Sequence, residues 1–408
     1  MPRAPRHDTG LIARRTLLRG VALTSLAAAL SACAGNTLDQ FSAPIASEPP
    51  PGTAPGAPPP GAPIGTGNVR VALLLPLSGQ GNAGLAAQSM KNAAEMAIAE
   101  FKDPNVQLLV KDTGGTQQGT QAVTQQAINE GAQIILGPLF AQSVAAAGQL
   151  ARPRNIPIIA FSTDANVAAR GVYLLSFLPE SDVHRIVDYA VSHGKRSFAA
   201  LVPDNAYGAV VEAAFQQAVA RRGGRVVALE RYPLSPPSFQ QAAQRIAQGA
   251  ARADAIFIPD NADNVPQVVS ALAAAGVNLK RMQLLGTGLW DEQRIFANAN
   301  LSGAWYAAPD PAGFRGFAQR YRGRYGQDPV RTATLSYDSV ALVAALSKSQ
   351  GPAAFSDQML TNTSGFAGID GVFRFRPDGT NERGLAVMRV TPQGGQVVSP
   401  APHSFQNT

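Results

Sequence analysis

The chain has 408 residues, 45% of them hydrophobic, with 34 basic and 27 acidic side chains and a single cysteine. That length exceeds what one hydrophobic core usually holds, and one cysteine excludes an intrachain disulfide framework. Residues 1–32 carry five Arg and one Asp, which leaves 29 basic against 26 acidic groups elsewhere. No Lys/Arg stripe interleaved with aromatics is visible, so the composition excludes a nucleic-acid binder.

Residues 1–32 read as a signal peptide: a basic start, then an apolar run from Gly20 to Leu30 too short to span a bilayer. The run ends in Leu30-Ser31-Ala32-Cys33, which resembles the lipobox of bacterial lipoproteins, with Cys33 as the acylated residue. Arg14-Arg15-Thr16-Leu17-Leu18-Arg19 resembles a twin-arginine motif, and both export routes stay open. Residues 36–67 hold nine Pro and five Gly. Such a stretch cannot bury enough surface to fold, so residues 33–67 are expected to form a tether reaching up to about 100 Å from a membrane.

From Val69 onward strands and helices alternate. Strands are predicted at Val69–Leu75, Val106–Val110, Ile134–Leu136, Ile156–Phe161 and Val172–Phe177, with helices at Leu85–Phe101 and Gln117–Asn129 and a helix-like segment before Ile156. A second series has strands at Phe198–Val202, Arg225–Leu229, Ala255–Ile258, Gln283–Leu285 and Gly303–Ala308. Its helices fall near 182–193, 206–222, 238–250, 264–275 and 291–298, and further helices follow at Pro311–Tyr325 and Thr334–Ser347. Gly371–Phe375 and Leu385–Val390 flank the turn residues Pro377–Asn381 and read as an antiparallel hairpin added to a sheet. Two such series predict an α/β protein with two doubly wound parallel-sheet lobes and a cleft between them. The expected division is 69–181 plus 311–348 for the first lobe and 182–308 plus 352–400 for the second. Crossings are expected near 178–183, 306–311 and 347–352.

Catalytic signatures are absent. The four histidines lack metal-ligand spacing, and there is no Walker loop or G-x-S-x-G elbow. Gly79–Gly84 matches G-x-G-x-x-G, with Asp112 after the next strand, but Pro76-Leu77-Ser78 separates it from the strand, so a plain ligand loop is expected rather than a dinucleotide site. No enzyme, metal or cofactor is expected. Loops at 76–84, 137–142, 162–165, 203–207, 259–263 and 286–291 all follow strands, which places them at carboxyl strand ends facing the cleft, where free N–H groups favour an anionic ligand group. The candidate binding residues are Ser78, Gly137, Ser162, Thr163, Tyr207, Asp260, Asn261, Trp290 and Asp291.

Six stretches carry a family resemblance: RVALLLPLSG, DTGG, ILGP at Gly137, PIIAFST at Thr163, VPDNAYG at Tyr207 and DAIFIPDNAD at Asp260. On these the chain resembles type I periplasmic binding proteins of the leucine-binding class over roughly Val69–Val398. The resemblance implies that Thr163 and Tyr207 help hold a ligand. It also places Gly288 where such proteins carry an acid for a ligand ammonium, and Asn261 where they carry an aromatic. Free leucine is therefore expected to bind poorly unless Asp260 or Asp291 reaches the ammonium. With the lipid anchor, the segment GVFRFRPDGTNERGLAVMRV is also similar to penicillin-binding-protein activator lipoproteins. That likeness implies a non-enzymatic role in peptidoglycan synthesis, with a synthase as partner. The alternative is the solute-binding lipoprotein of an ABC importer for amino acids or similar small polar ligands, with a permease as partner. Either implies the periplasmic side of a membrane. The outer membrane is favoured because Ala34 stands where some inner-membrane lipoproteins carry Asp.

Overall fold

The computed structural model describes residues 62–234 and 236–405. The signal segment, Cys33 and most of the tether lie outside the described residues. Ile64 pairs with Leu108 through two backbone hydrogen bonds of 2.9 and 2.8 Å, so the end of the expected tether is fixed along a sheet edge.

The first sheet comes from β1 (Val69–Leu75), α1 (Asn82–Glu100), β2 (Val106–Asp112), α2 (Gln117–Asn129), β3 (Ile134–Leu136), α3 (Ala141–Ala151), β4 (Ile158–Ala160) and β5 (Val172–Leu174). Its five parallel strands run β2-β1-β3-β4-β5. In β1, Val71, Leu73 and Leu75 join one apolar cluster while Ala72 and Leu74 join another on the opposite face. A strand covered on both faces must be apolar at every position, which explains its unbroken hydrophobic run.

The second sheet is built from α4 (Pro179–Ser192), β6 (Ser197–Pro203), α5 (Ala206–Arg221), β7 (Arg225–Tyr232), α6 (Pro236–Ala250), β8 (Ala255–Phe257), α7 (Val265–Ala274), β9 (Gln283–Gly286), α8 (Gln293–Phe296) and β10 (Trp305–Ala308). The chain then returns to the first lobe as α9 (Pro311–Tyr325), α10 (Ala333–Gln350), α11 (Asp357–Leu360), β11 (Phe366–Gly368), β12 (Gly371–Phe375) and β13 (Asn381–Arg383). Finally β14 (Ala386–Thr391) and β15 (Gly394–Ser399) extend the second sheet, in order β15-β14-β10-β9-β8-β6-β7. β14 and β15 are antiparallel additions to five parallel strands.

The expected hairpin does not form. Phe375 does pair with Asn381 across the turn, but the partner of β12 is the short β13, and the apolar run beyond it belongs to another sheet. The reason is burial on two faces: Leu385 and Val387 enter one core cluster of the second lobe, while Ala386, Met388 and Val390 enter the other. A hairpin edge offers no second layer. Of residues 352–400, all expected in the second lobe, those before the crossing belong to the first, while 386–399 do lie in the second sheet. Leu360, Phe373 and Phe375 pack with Val71 and Leu73 of the first lobe, so the third crossing lies at 383–386 rather than 347–352.

The first and third crossings are tied together. The Ser176 carbonyl accepts hydrogen bonds from Asn381 Nδ2 at 2.8 Å and Arg383 Nε at 2.9 Å, all within buried surroundings. The guanidinium groups of Arg331 and Arg383 each lie 4.7 Å from the Phe177 ring centroid, and Arg331 is held by Asp370 at 2.8 and 2.5 Å.

Candidate functional site

Strand order reverses beside β1 in the first sheet and beside β6 in the second, and open α/β sheets bind ligands at the carboxyl ends of strands at such switch points. The loops after β1, β3 and β4 bring together the first-lobe candidates. Asp112 braces this rim: its carboxylate accepts the N–H groups of Ser78 and Gly114. Burial pushes the Asp112 carboxyl up, but those hydrogen bonds outweigh it and hold the group below the usual range. Asp112 therefore stabilises the loop, and the glycine-rich stretch needs no dinucleotide to explain it. Gly137 is buried at φ +79°, and a Cβ there would sit 2.3 Å from the Leu74 carbonyl, so the position demands glycine. Its N–H is used by the Ile159 carbonyl. Ser162 is also buried, its Oγ accepting the Asp164 N–H. Gly137 and Ser162 thus shape the backbone, while Ser78 and Thr163 are exposed. Among the described residues the Thr163 hydroxyl has no protein partner.

On the second lobe, Asn205 caps α5 by accepting the Gly208 N–H at 2.8 Å. A Cβ at Gly208 would lie 1.8 Å from the Pro203 carbonyl, so only glycine lets α5 start this close to β6. The first turn of α5 then carries Tyr207, whose hydroxyl meets Thr287 Oγ1 at 3.0 Å. Burial raises the Tyr207 pKa; the bond to Thr287 lowers it, and the nearby charges of Asp182, Asp260 and Glu180 raise it further, so the phenol stays protonated.

Asp182 and Glu180 are absent from the sequence-based candidates. Both stand in the first turn of α4, which follows the first crossing directly. Asp182 Oδ2 accepts the Gly288 N–H at 2.8 Å, and a Cβ on Gly288 would lie 3.2 Å from that same oxygen. A carboxylate from another helix therefore occupies the neighbourhood where the resemblance called for an acid at position 288. Burial, opposed by the Gly288 N–H and reinforced by Glu180, pushes the Asp182 carboxyl up to about 7. Glu180 Oε2 is also buried, and no protein group bonds it. Acids in a first helical turn have an ordinary reading as complements to the helix dipole, which hides them in the sequence.

Asp260 is 4% exposed and accepts from Tyr232 Oη at 2.7 Å, the Asn261 N–H and Asn264 Nδ2. It contributes charge behind Tyr207 rather than an open ligand contact. Asn261 is half-buried and its Oδ1 accepts the N–H groups of Asp263 and Asn264. Two candidates are corrected. Trp290 is fully buried in the apolar cluster with Ile258 and Leu284, donating Nε1–H to the Ile258 carbonyl at 3.1 Å. It fills the space a side chain at Gly286 would need, since a Cβ there would fall 2.1 Å from its ring. Asp291 is exposed and accepts from Tyr306 Oη at 2.9 Å. Tyr306 lies on the sheet face opposite that packed by Tyr207, which turns Asp291 away from the cluster. A separate cavity of about 660 Å³, lined by Arg152, Ile156, Arg170 and Asp357 among others, lies at the amino ends of β4 and β5, away from these loops.

Residues 68–396 match the family model described as periplasmic binding protein. Among solved structures, a branched-chain amino acid ABC transporter protein from Rhodospirillum rubrum aligns at TM-score 0.72 and 19% identity, covering 81% of this chain and 99% of that one. A leucine-binding protein from Thermotoga maritima aligns at TM-score 0.54 and 17% identity, covering 81% and 98%. A solute-binding protein of an ABC transporter from Rhodopseudomonas palustris, solved with 3,4-dihydroxybenzoic acid, aligns at 0.55 and 20%, covering 82% and 98%. A curated relative, the uncharacterized protein RP748 of Rickettsia prowazekii, is 22% identical over 182 residues, 45% of this chain, and the match spans about half of that relative, 48%. The chain belongs to the periplasmic binding protein family and has its type I fold, two parallel-sheet lobes with a cleft between them.

Proposed function

We propose that this chain is a non-enzymatic extracytoplasmic receptor that closes its lobes on a small zwitterionic, amino-acid-like ligand for an ABC importer. The observation that supports it is the Asp182 carboxylate against Gly288, which supplies the negative charge that position 288 itself lacks. Thr163, exposed at the carboxyl end of β4, is the partner for the ligand's carboxylate, and Tyr207 closes from the second lobe. Asp182, rather than Asp260 or Asp291, meets the ammonium. A hydrogen bond to a charged group is worth about 1.5–3 kcal/mol, so Thr163→Ala is expected to weaken binding roughly tenfold to a hundredfold without unfolding the protein. Calorimetry with a panel of amino acids, alongside a thermal melt of the variant, checks this. An unchanged affinity removes Thr163 from the site.

A second reading, a lipoprotein activator of penicillin-binding proteins, is favoured by the sequence similarity at Gly371–Val390. It uses the same fold with a peptidoglycan synthase as partner. Capture of such a synthase by a protein that binds no amino acid supports it; micromolar amino-acid binding supports the importer reading. In both readings Cys33 carries a lipid and anchors the protein, with the outer membrane favoured. No helix among the described residues is long and apolar enough to cross a membrane. Cys33→Ser is therefore expected to move the protein from the membrane pellet to the soluble fraction. Retention in the pellet at high salt contradicts the anchor.

A further inference from the structure

The segment after β15 passes back to the lobe that β13 has just left. β15 belongs to the second sheet, whereas Phe405, six residues beyond Ser399, is buried at 5% exposure against the first-lobe sheet of β11 to β13. The Arg374 guanidinium of β12 lies 4.4 Å from its ring centroid. Arg374 is itself fixed by Glu382 Oε2 at 2.9 and 2.8 Å and by the Thr363 carbonyl. Gly365 borders the same socket, since a Cβ there would lie 2.8 Å from Phe405 Cδ2.

The opposite end is held from the second lobe. Arg185 of α4 donates to the Leu385 carbonyl at 2.7 Å, to Ser399 Oγ at 2.7 Å and to the Pro400 carbonyl at 3.3 Å. One guanidinium thus grips both the third crossing and the start of the returning segment. Between the two ends, Pro402 lies on that crossing, 3.0 Å from where a Cβ on Gly384 would be.

We infer that residues 400–405 form a strap fastening the two lobes over the third crossing, and that docking of Phe405 limits how far the cleft opens. From Pro400 to Phe405 the chain reaches at most about 18 Å. A rotation that carries Pro400 and the Phe405 socket further apart than this must pull Phe405 from the socket or tear Pro400 from Arg185. Burying a Phe side chain biases the fastened over the released state by roughly tenfold to a hundredfold. The strap is thereby a non-covalent fourth link beside the three backbone crossings, and it adjusts how often the empty cleft is open. It stands on packing alone and needs no ligand.

The test uses the full chain with Cys33→Ser, so that Ala122→Cys on α2 and Gln217→Cys on α5 are the only cysteines, each at an exposed position of a different lobe. Spin labels there report the interlobe distance in dialysed protein. Phe405→Ala is expected to raise the population at changed distance, relative to the fastened one, roughly tenfold to a hundredfold, and Phe405→Leu to restore most of the original distribution. A second variant inserts Gly-Ser-Gly-Ser after His403, which keeps Phe405 but slackens the strap; it is expected to broaden the distribution as well. Circular dichroism checks that each variant is folded. If folded Phe405→Ala keeps the wild-type distribution, or if the lengthened strap does so while Phe405→Ala fails to fold, Phe405 is ordinary packing and the strap is refuted. Because no ligand enters the measurement, this outcome is independent of whether the cleft takes an amino acid.

Discussion

Asp182→Asn is expected to weaken binding of a zwitterionic ligand by roughly a hundredfold at pH 8 while making the ligand-free protein more stable. The first effect follows from removing a charged partner of an ammonium in a half-buried site, worth about 3 kcal/mol. The second follows from the titration of the carboxyl, raised from 3.8 to about 7 by burial in the ligand-free protein. Between those values the folded protein holds a proton that the unfolded chain has released. The stability tied to the neutral form is therefore complete below about pH 4 and is lost as pH rises through about 7. Asparagine never ionises and keeps it. A shift of this size corresponds to at most about 4 kcal/mol, and roughly half survives at a partly solvated site. A ligand cation requires the ionised form, so wild-type affinity should rise between pH 5 and 8 with proton release near pH 6–7. Calorimetry in buffers of different ionisation enthalpy reads that release, and a pH series of thermal melts reads the stability. Loss of binding and of stability together would mean that Asp182 merely holds the Gly288 loop.

Trp290→Ala is expected to destabilise the protein by about 3–5 kcal/mol, the range for truncating a large buried aromatic. Trp290 is fully enclosed against Gly286 and bonded to the Ile258 carbonyl. The change empties a cavity and leaves a buried carbonyl without its partner. Trp290→Phe loses the hydrogen bond but less volume and should cost less. Denaturant titration measures both. At temperatures where the alanine variant stays folded, its ligand affinity should be within a few-fold of wild type, because Trp290 lines no part of the cluster around Tyr207 and Asp182. A stable Trp290→Ala protein that has lost its ligand would return Trp290 to the binding site.

The order and type of the main elements were legible because doubly covered strands and amphipathic helices leave plain periodicities: α2 and α9 have the expected limits, and β1 is the unbroken run at Val69–Leu75. The segment from Leu360 to Val390 was misread because a good turn at Pro377–Asn381 suggests a hairpin, and only burial of Leu385–Val390 on both faces reveals a strand inside a different sheet. Of the proposed ligand contacts, Thr163 and Tyr207 are visible in the sequence as polar residues just past strand ends, in loops that carry the resemblance. Trp290 and Asp291 were misjudged because proximity in sequence to Gly288 does not fix the sheet face, and a short helical turn after Thr287 sends both away. Asp182 could not be found by spacing, since it reaches Gly288 across 106 residues of sequence.

The most direct test compares one amino acid with its deaminated isostere, for instance leucine and 4-methylpentanoate, in calorimetric titrations of dialysed protein at pH 8, using whichever amino acid of a panel binds tightest. The pairing of Thr163 with a carboxylate and Asp182 with an ammonium predicts micromolar or tighter binding of the amino acid, at least a hundredfold tighter than the isostere, with the preference abolished in Asp182→Asn. Equal binding of the two compounds, or tighter binding of the isostere, contradicts it.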